Sequence, residues 1–348
     1  MFRETNPEKE PIKSNMVWER RWNPLREEWV TITGHRNSRP WSSPEKKALH
    51  PRVVSYDSDC GLCPGNIRIS GERNPQYEDI FVFDNDHPAF KQPSPPREQS
   101  GDSRFVSASA GGVCRVLCYS PKHNRNLSEF SVDQTRKLID VWIDQTDELK
   151  NLPGIEQVLI FENRGELVGV SNSHPHGQIY ATEFLMEGIR KESMAFEKAS
   201  EPLMQSLLSA ELRDGRRVIY DGSEIVSFVP YFAKFPYEVF IVPRSKHRFV
   251  SSLSSNERND LARALNDILR RYDNMWGVPF PYMLLFHQSP CNGNHLSYHS
   301  HIQIHPILRA PNLPKYLASV ETGAGHFLND GSPEDKAAEL RAVALDKI

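Results

Sequence analysis

The strongest constraint on this chain is that it repeats itself. Cys114 to Leu149 can be laid over Tyr237 to Tyr272, and each segment runs from an apolar stretch rich in β-branched and aromatic residues through a Lys-His pair into an amphipathic run. The Lys-His pairs are Lys122-His123 and Lys246-His247. Both amphipathic runs open with a capping box, Ser131 to Gln134 and Ser254 to Glu257, in which hydroxyl and later polar side chain satisfy each other's orphan backbone N–H groups. Leu261, Ala264, Leu265, Ile268, Leu269 and Tyr272 then fall on one helical face. Leu138, Ile139, Trp142, Ile143 and Leu149 do so less strictly in the first copy.

The repeat continues beyond the helices. A strand expected over Glu156 to Glu162, or Pro281 to Gln288, leads to a His-x-His-x-Gln-Ile run, His174 to Ile179 in the first copy and His299 to Ile304 in the second. His123 and His247 stand 124 residues apart, and His174 and His299 stand 125 apart. An offset so nearly constant through strand, helix and strand means duplicated units. The economical architecture is α+β, each unit a mainly antiparallel sheet backed by packed helices. The units are expected at 1–190 and 191–348, with the boundary in the helical, charge-rich stretch Met186 to Arg217, which has no counterpart in the repeat.

Composition narrows the function classes. With 348 residues, 42 Lys+Arg against 45 Asp+Glu and a formal charge of -3, the chain suits two or three domains and lacks the basic excess of a protein that binds by neutralising phosphates. Nucleic acid is therefore not an expected partner. No run approaches the ~18 apolar residues of a membrane helix, and the alternating charges of MFRETNPEKEPIKSN do not make a signal peptide. The expected location is the cytoplasm. Phe2 to Asn15 reads as a frayed arm and Gln92 to Arg104 as a mobile loop.

Five cysteines are an odd set for a disulfide framework, so the close pair Cys60-x-x-Cys63 needs another explanation. Half of a zinc site is the first reading, His123 and His174 being the candidates for the other two ligands and a pair of free buried thiols the alternative. On a strand, His174 and His176 point the same way and Gln178 continues on that face. There its amide can donate to a phosphoryl oxygen. Gly177, lacking a Cβ, would let a ligand come close to the backbone. Lone histidines such as His35, His50, His87 and His326 are read as structural.

CGLCPG, YSPKH, FENRG and SNSHPHGQIYA, in that order, resemble the galactose-1-phosphate uridylyltransferase family, a duplicated branch of the histidine-triad superfamily. The likeness extends from Asn23 to Glu321. It implies two tandem histidine-triad-like domains whose sheets together form a half-barrel-like sheet. It also implies transfer of UMP between UDP-glucose and galactose 1-phosphate, by a ping-pong route through a uridylyl-histidine. By this resemblance His176 is the nucleophile and Gln178 bonds the transferring phosphoryl group. Arg36, Arg39, Asn163 and Ser171 lie near the nucleotide phosphates, and Asn85 and Asp86 contact the nucleoside. Lys315, Tyr316 and Glu321 reach the hexose phosphate, often across a homodimer interface. Zinc is implied at Cys60, Cys63, His123 and His174.

A second metal, iron or zinc, is implied at a glutamate and three histidines. Glu192, His287 and His301 fill three places, but Gln303 stands where some relatives carry the last histidine, and glutamine is a poor ligand for such metals. His299 and His305 are further candidates. Val320 stands before Glu321 where an aromatic residue is familiar, which leaves the acceptor sugar open. The competing readings are a nucleotide-sugar phosphorylase (ADP- or UDP-hexose) of the same superfamily, and a noncatalytic nucleotide-binding protein.

Overall fold

The computed structural model describes residues 17–38, 54–96, 101–170 and 172–345; the N-terminal arm, Arg39, His50 and Ser171 lie outside them, as do residues 97–100. In chain order the elements are β1 (Trp18–Asn23), β2 (Glu28–Thr33), β3 (Phe81–Asp84), β4 (Gly112–Cys118), α1 (Val132–Lys150), β5 (Gln157–Arg164) and β6 (His176–Thr182). Helices α2 (Glu187–Lys198) and α3 (Leu203–Asp214) follow, then β7 (Val218–Asp221), β8 (Ile225–Phe228), β9 (Val239–Pro243) and α4 (Ser255–Trp276). The chain ends with β10 (Tyr282–His287), β11 (His301–Pro306), β12 (Leu308–Ala310), β13 (Leu313–Pro314), β14 (Leu328–Asn329) and α5 (Pro333–Ala342).

Both repeats enter one open, antiparallel, nine-stranded sheet in the order β3-β4-β6-β5-β10-β11-β9-β8-β7. Read outward from the centre, β5-β6-β4 on one side matches β10-β11-β9 on the other, so the duplication appears as a pseudo-twofold relation. The seam is β5 against β10, with Arg164 opposite Tyr282 and Phe161 opposite Leu285. A second sheet, β1-β2-β14, packs at the side.

The repeated helices form as their capping boxes require. Ser131 accepts from the Gln134 N–H and Ser254 from the Glu257 N–H, and both reciprocal bonds are present. Each helix buries the face foreseen from its spacing, and Thr135 on α1 donates to Asn266 on α4 at 2.6 Å, tying the two copies together on one side of the sheet. The large core under these helices runs through both halves without a break.

The opposite side is where the halves diverge. A smaller core of Phe196, Met204 and Leu208 from α2 and α3 packs on Val226, Phe228, Phe240 and Val242. The stretch with no counterpart in the repeat therefore covers the second copy's outer face. All five residues of β9 are buried in consequence. In the first copy that face stays open: Gly177, Ile179 and Ala181 of β6 are buried under the helices, while His176, Gln178 and Tyr180 are only partly covered.

Candidate active site and metal centre

The Cys60-x-x-Cys63 knuckle is tied by its own polar neighbours. Asn66 donates to the carbonyls of Asp57 and Cys60, and Asn74 to those of Gly61 and Cys63. Both cysteines are buried with His123 and His174, and the four ligand atoms lie within 4.8 Å of one another. Cys63 Sγ is 3.6 Å from His123 Nδ1 and 3.5 Å from His174 Nδ1.

The outward nitrogens are engaged elsewhere. His174 Nε2–H donates to the Ser120 carbonyl at 2.9 Å and His123 Nε2 meets the Ser173 hydroxyl at 2.8 Å. A proton fixed on His174 Nε2 leaves Nδ1 bare toward the thiols, the tautomer a metal ligand needs. Burial pushes the Cys63 thiol up to about 11, a strain that coordination of its thiolate relieves. The donor set fits a metal ion.

The second copy repeats this arrangement without the sulfur. His299 Nε2 donates to the Pro243 carbonyl at 2.9 Å, as His174 does to Ser120, but its buried Nδ1 has no partner. His247, matching His123, is bound instead to Glu257 at 2.6 Å. The repeated scaffold kept the imidazole orientation, and among the described residues only the first copy brings thiols against it.

His174 departs from expectation. Strand β6 begins at His176, so His174 lies in the preceding loop and strand alternation does not govern it. Pro175, which has no N–H for the ladder, separates the two rings. His174 turns to the thiols while His176 faces a pocket lined by Phe161, Asn163, Gly169, Val170 and Gln178. His176 Nδ1–H donates to the His174 carbonyl at 2.7 Å, which leaves Nε2 bare. Burial lowers the imidazole's pKa, partly opposed by that bond, so the neutral ring is favoured.

Gln178 Oε1 accepts from Asn85 Nδ2 and the Tyr180 hydroxyl, each at 3.4 Å, which leaves its NH2 as a donor for the pocket. Asn85 is thus brought to the site, and Asn163 lines it from β5. Asp86 is held by Arg68 at 3.2 Å, and that guanidinium lies over Phe83. A Cβ at Gly177 would lie 2.2 Å from the Tyr119 hydroxyl on the buried face, so the missing side chain admits a core tyrosine, while the glycine's backbone lines the pocket beside His176.

Other expected residues stand elsewhere. Arg36 pairs with Asp330 at 3.3 Å, tying its short helical turn to the C-terminal segment. Lys315 and Glu321 are buried against each other at 3.0 Å, while Tyr316 between them in sequence is 61% exposed. Asn172, which the sequence reading did not single out, accepts the His174 N–H at 2.9 Å and donates to Cys60 Sγ at 3.4 Å. Its place in the SNSHPH run was the available signal; Arg68 had none.

Glu192, His287 and His301 also converge within 4.8 Å. Gln303 donates to His301 Nε2 at 2.9 Å, so the ring atom matching the bare Nε2 of His176 is capped.

Residues 8–186 match the model of the galactose-1-phosphate uridyl transferase N-terminal domain, and residues 188–348 match that of its C-terminal domain. The chain belongs to the galactose-1-phosphate uridylyltransferase family. A member of this family from Haemophilus influenzae is 35% identical over 332 residues, covering 93% of this chain and 94% of the relative. The galactose-1-phosphate uridylyltransferase of Saccharomyces cerevisiae is 32% identical, covering 92% and 93%. Among solved structures, a uridylyltransferase aligns with a TM-score of 0.74 at 26% identity over 93% of this chain and 97% of that one. An ADP-glucose phosphorylase from Arabidopsis thaliana, solved with ADP-glucose, aligns with a TM-score of 0.75 at 23% identity over 94% and 99%, a likeness of fold. Galactose-1-phosphate uridylyltransferase relatives therefore match this chain through both repeats.

Proposed function

We propose that the protein moves UMP between UDP-glucose and galactose 1-phosphate, with His176 as the nucleophile. The observation that carries this reading is the bond from His176 Nδ1–H to the His174 carbonyl, which leaves the bare Nε2 facing the pocket beside Gln178 and Asn163. In the first half-reaction the Nε2 lone pair attacks the α-phosphorus of UDP-glucose. The bond from that phosphorus to the bridging oxygen breaks, and glucose 1-phosphate departs with the electron pair. The ring becomes cationic, and the His174 carbonyl stabilises the proton it keeps on Nδ1. A phosphate oxygen of galactose 1-phosphate then attacks the same phosphorus, forming UDP-galactose and returning the lone pair to Nε2.

Phosphoryl transfer depends on positioning and charge stabilisation more than on acid-base strength, which suits the amide donors here. Gln178 contributes its NH2 to the non-bridging oxygens, Asn163 and Ser171 serve the phosphates, and Asn85 and Asp86 the nucleoside; Arg36 and Arg39 are assigned to the phosphates by the family resemblance, Arg36 being paired in this chain with Asp330. Zinc on Cys60, Cys63, His123 and His174, when bound, supplies a rigid anchor for the loop whose carbonyl orients His176.

The reading includes a cytoplasmic homodimer in which Lys315, Tyr316 and Glu321 serve the hexose phosphate; exposed Tyr316 is the member of that stretch available to a second chain. No helix among the described residues is long and apolar enough to cross a membrane. The two repeats divide the work at 1–190 and 191–348, the first carrying the chemistry. Exchange of labelled glucose 1-phosphate into UDP-glucose without acceptor, together with an acid-labile adduct on His176, tests the proposal. Absence of both would overturn it, and discharge of the adduct by inorganic phosphate but not by galactose 1-phosphate would make the protein a phosphorylase.

A further inference from the structure

The Glu192 cluster resembles a metal site in its residue types but not in its bonding. Glu192 is fully buried, and both carboxylate oxygens are saturated by protein donors. Oε1 faces Arg26 Nε at 2.9 Å and accepts from Gln303 Nε2 at 3.2 Å. Oε2 accepts from His287 Nδ1 at 2.8 Å and from the Tyr298 hydroxyl at 3.0 Å.

The histidines are equally committed. His301 donates through Nδ1 to the His299 carbonyl at 3.0 Å and accepts through Nε2 from Gln303. Gln303 is fixed in that orientation because its Oε1 lies 3.1 Å from His305 Nε2, which donates to it. His287 Nε2 is the remaining buried ring nitrogen without a partner in the cluster, and a single imidazole nitrogen cannot hold a divalent ion against a saturated carboxylate.

Arg26 is built in rather than draped over the surface. It reaches the cluster from the turn between β1 and β2, and its guanidinium lies against the first turn of α2 at Gly188. A Cβ at Gly188 would lie 2.3 Å from Arg26 Nη1, so glycine there makes the seat for the cation. One guanidinium against one carboxylate leaves that buried pair with no net charge. A divalent ion added to the same set would leave two uncompensated positive charges out of water, an arrangement that proteins avoid.

We propose that Arg26 and Gln303 occupy the place of a cation in the Glu192–His287–His301 cluster, so that this chain's second site is neutralised by arginine and takes no metal. Arg26 supplies the charge, and Gln303 bridges carboxylate and imidazole as a metal would.

Demetallated full-length protein would be titrated with cobalt(II) and with zinc, following metal content, the thiolate-to-cobalt absorption and melting temperature. The expected result for the unmodified protein is one equivalent per chain, with thiolate absorption, both lowered in Cys60→Ser. A second equivalent without thiolate absorption, removed by Glu192→Gln, would overturn the proposal, and this reading needs no Arg26 variant to fold. Arg26→Ala should melt several degrees lower without metal, acquire a second equivalent, and recover melting temperature when zinc is added. An Arg26→Ala protein with unchanged melting temperature and one equivalent of metal would also overturn it.

Discussion

The Nδ1–H of His176 is held by the carbonyl of His174 at 2.7 Å, so the residue that turns its ring to the thiols orients the candidate nucleophile through its backbone. His301 has the same bond to His299 at 3.0 Å, but its Nε2 is capped by Gln303. His176→Gly is therefore expected to fold normally and to lose transfer entirely. His301→Ala is expected to keep the chemical step and lose stability, about 1–3 kcal/mol for the buried partners it strands. Steady-state rates beside melting curves for both variants check this; a dead, fully stable His301→Ala protein would reverse the assignment.

Metal at the thiol cluster is expected at about one zinc per chain, the content of one tetrahedral site. Cys60→Ser should lower zinc content and melting temperature together. Chelation that strips all metal without moving the melting temperature would refute a structural role.

Gly177→Ala places a methyl group against the Tyr119 hydroxyl, and overpacking of this kind costs about 1–3 kcal/mol. Adding Tyr119→Phe removes the nearest atom, so the double variant should recover part of the loss. Denaturant unfolding of both proteins measures it, and a double variant no more stable than Gly177→Ala would place the strain elsewhere.

Glu162 lies fully buried between the hydroxyls of Tyr119 and Tyr282, behind the strands that carry the site. Burial raises its carboxyl to about 7, only partly opposed by the charge of Arg164. A raised folded-state pKa means stability that is complete below the unfolded value near 4.3 and is lost as pH climbs through about 7. Glu162→Gln should flatten that part of the profile by a few kcal/mol. Glu238, also raised to about 7 by burial, leaves a residual slope in the variant. Melting temperatures from pH 4.5 to 8 check it, and identical profiles for the two proteins would exclude Glu162 as the source.

The duplicated order of strand, helix and strand, the capping boxes at Ser131 and Ser254, and the thiol-histidine set were legible because each depends on spacing or on local backbone chemistry. The pairing of β5 with β10 was not, since nothing in the alternation of either strand names its neighbour. Arg26 was equally silent: an arginine in a turn reads as a solvated charge, and only the fold brings it to Glu192. Gly177 was legible only in part: its missing Cβ marked a close approach, which Tyr119 makes from the core face while the backbone lines the pocket.

The β5–β10 ladder has a consequence for the chain as a polymer. Segments about 120 residues apart share the central rungs of one sheet, so neither repeat can finish folding while its partner strand is absent. A ribosome that has released only the first copy exposes the edge of β5, with a row of unpaired amides and carbonyls ready to join any passing strand. Cutting the gene at the repeat boundary would reproduce that edge permanently. Two halves expressed separately should aggregate alone and become soluble only when made together in the same cell.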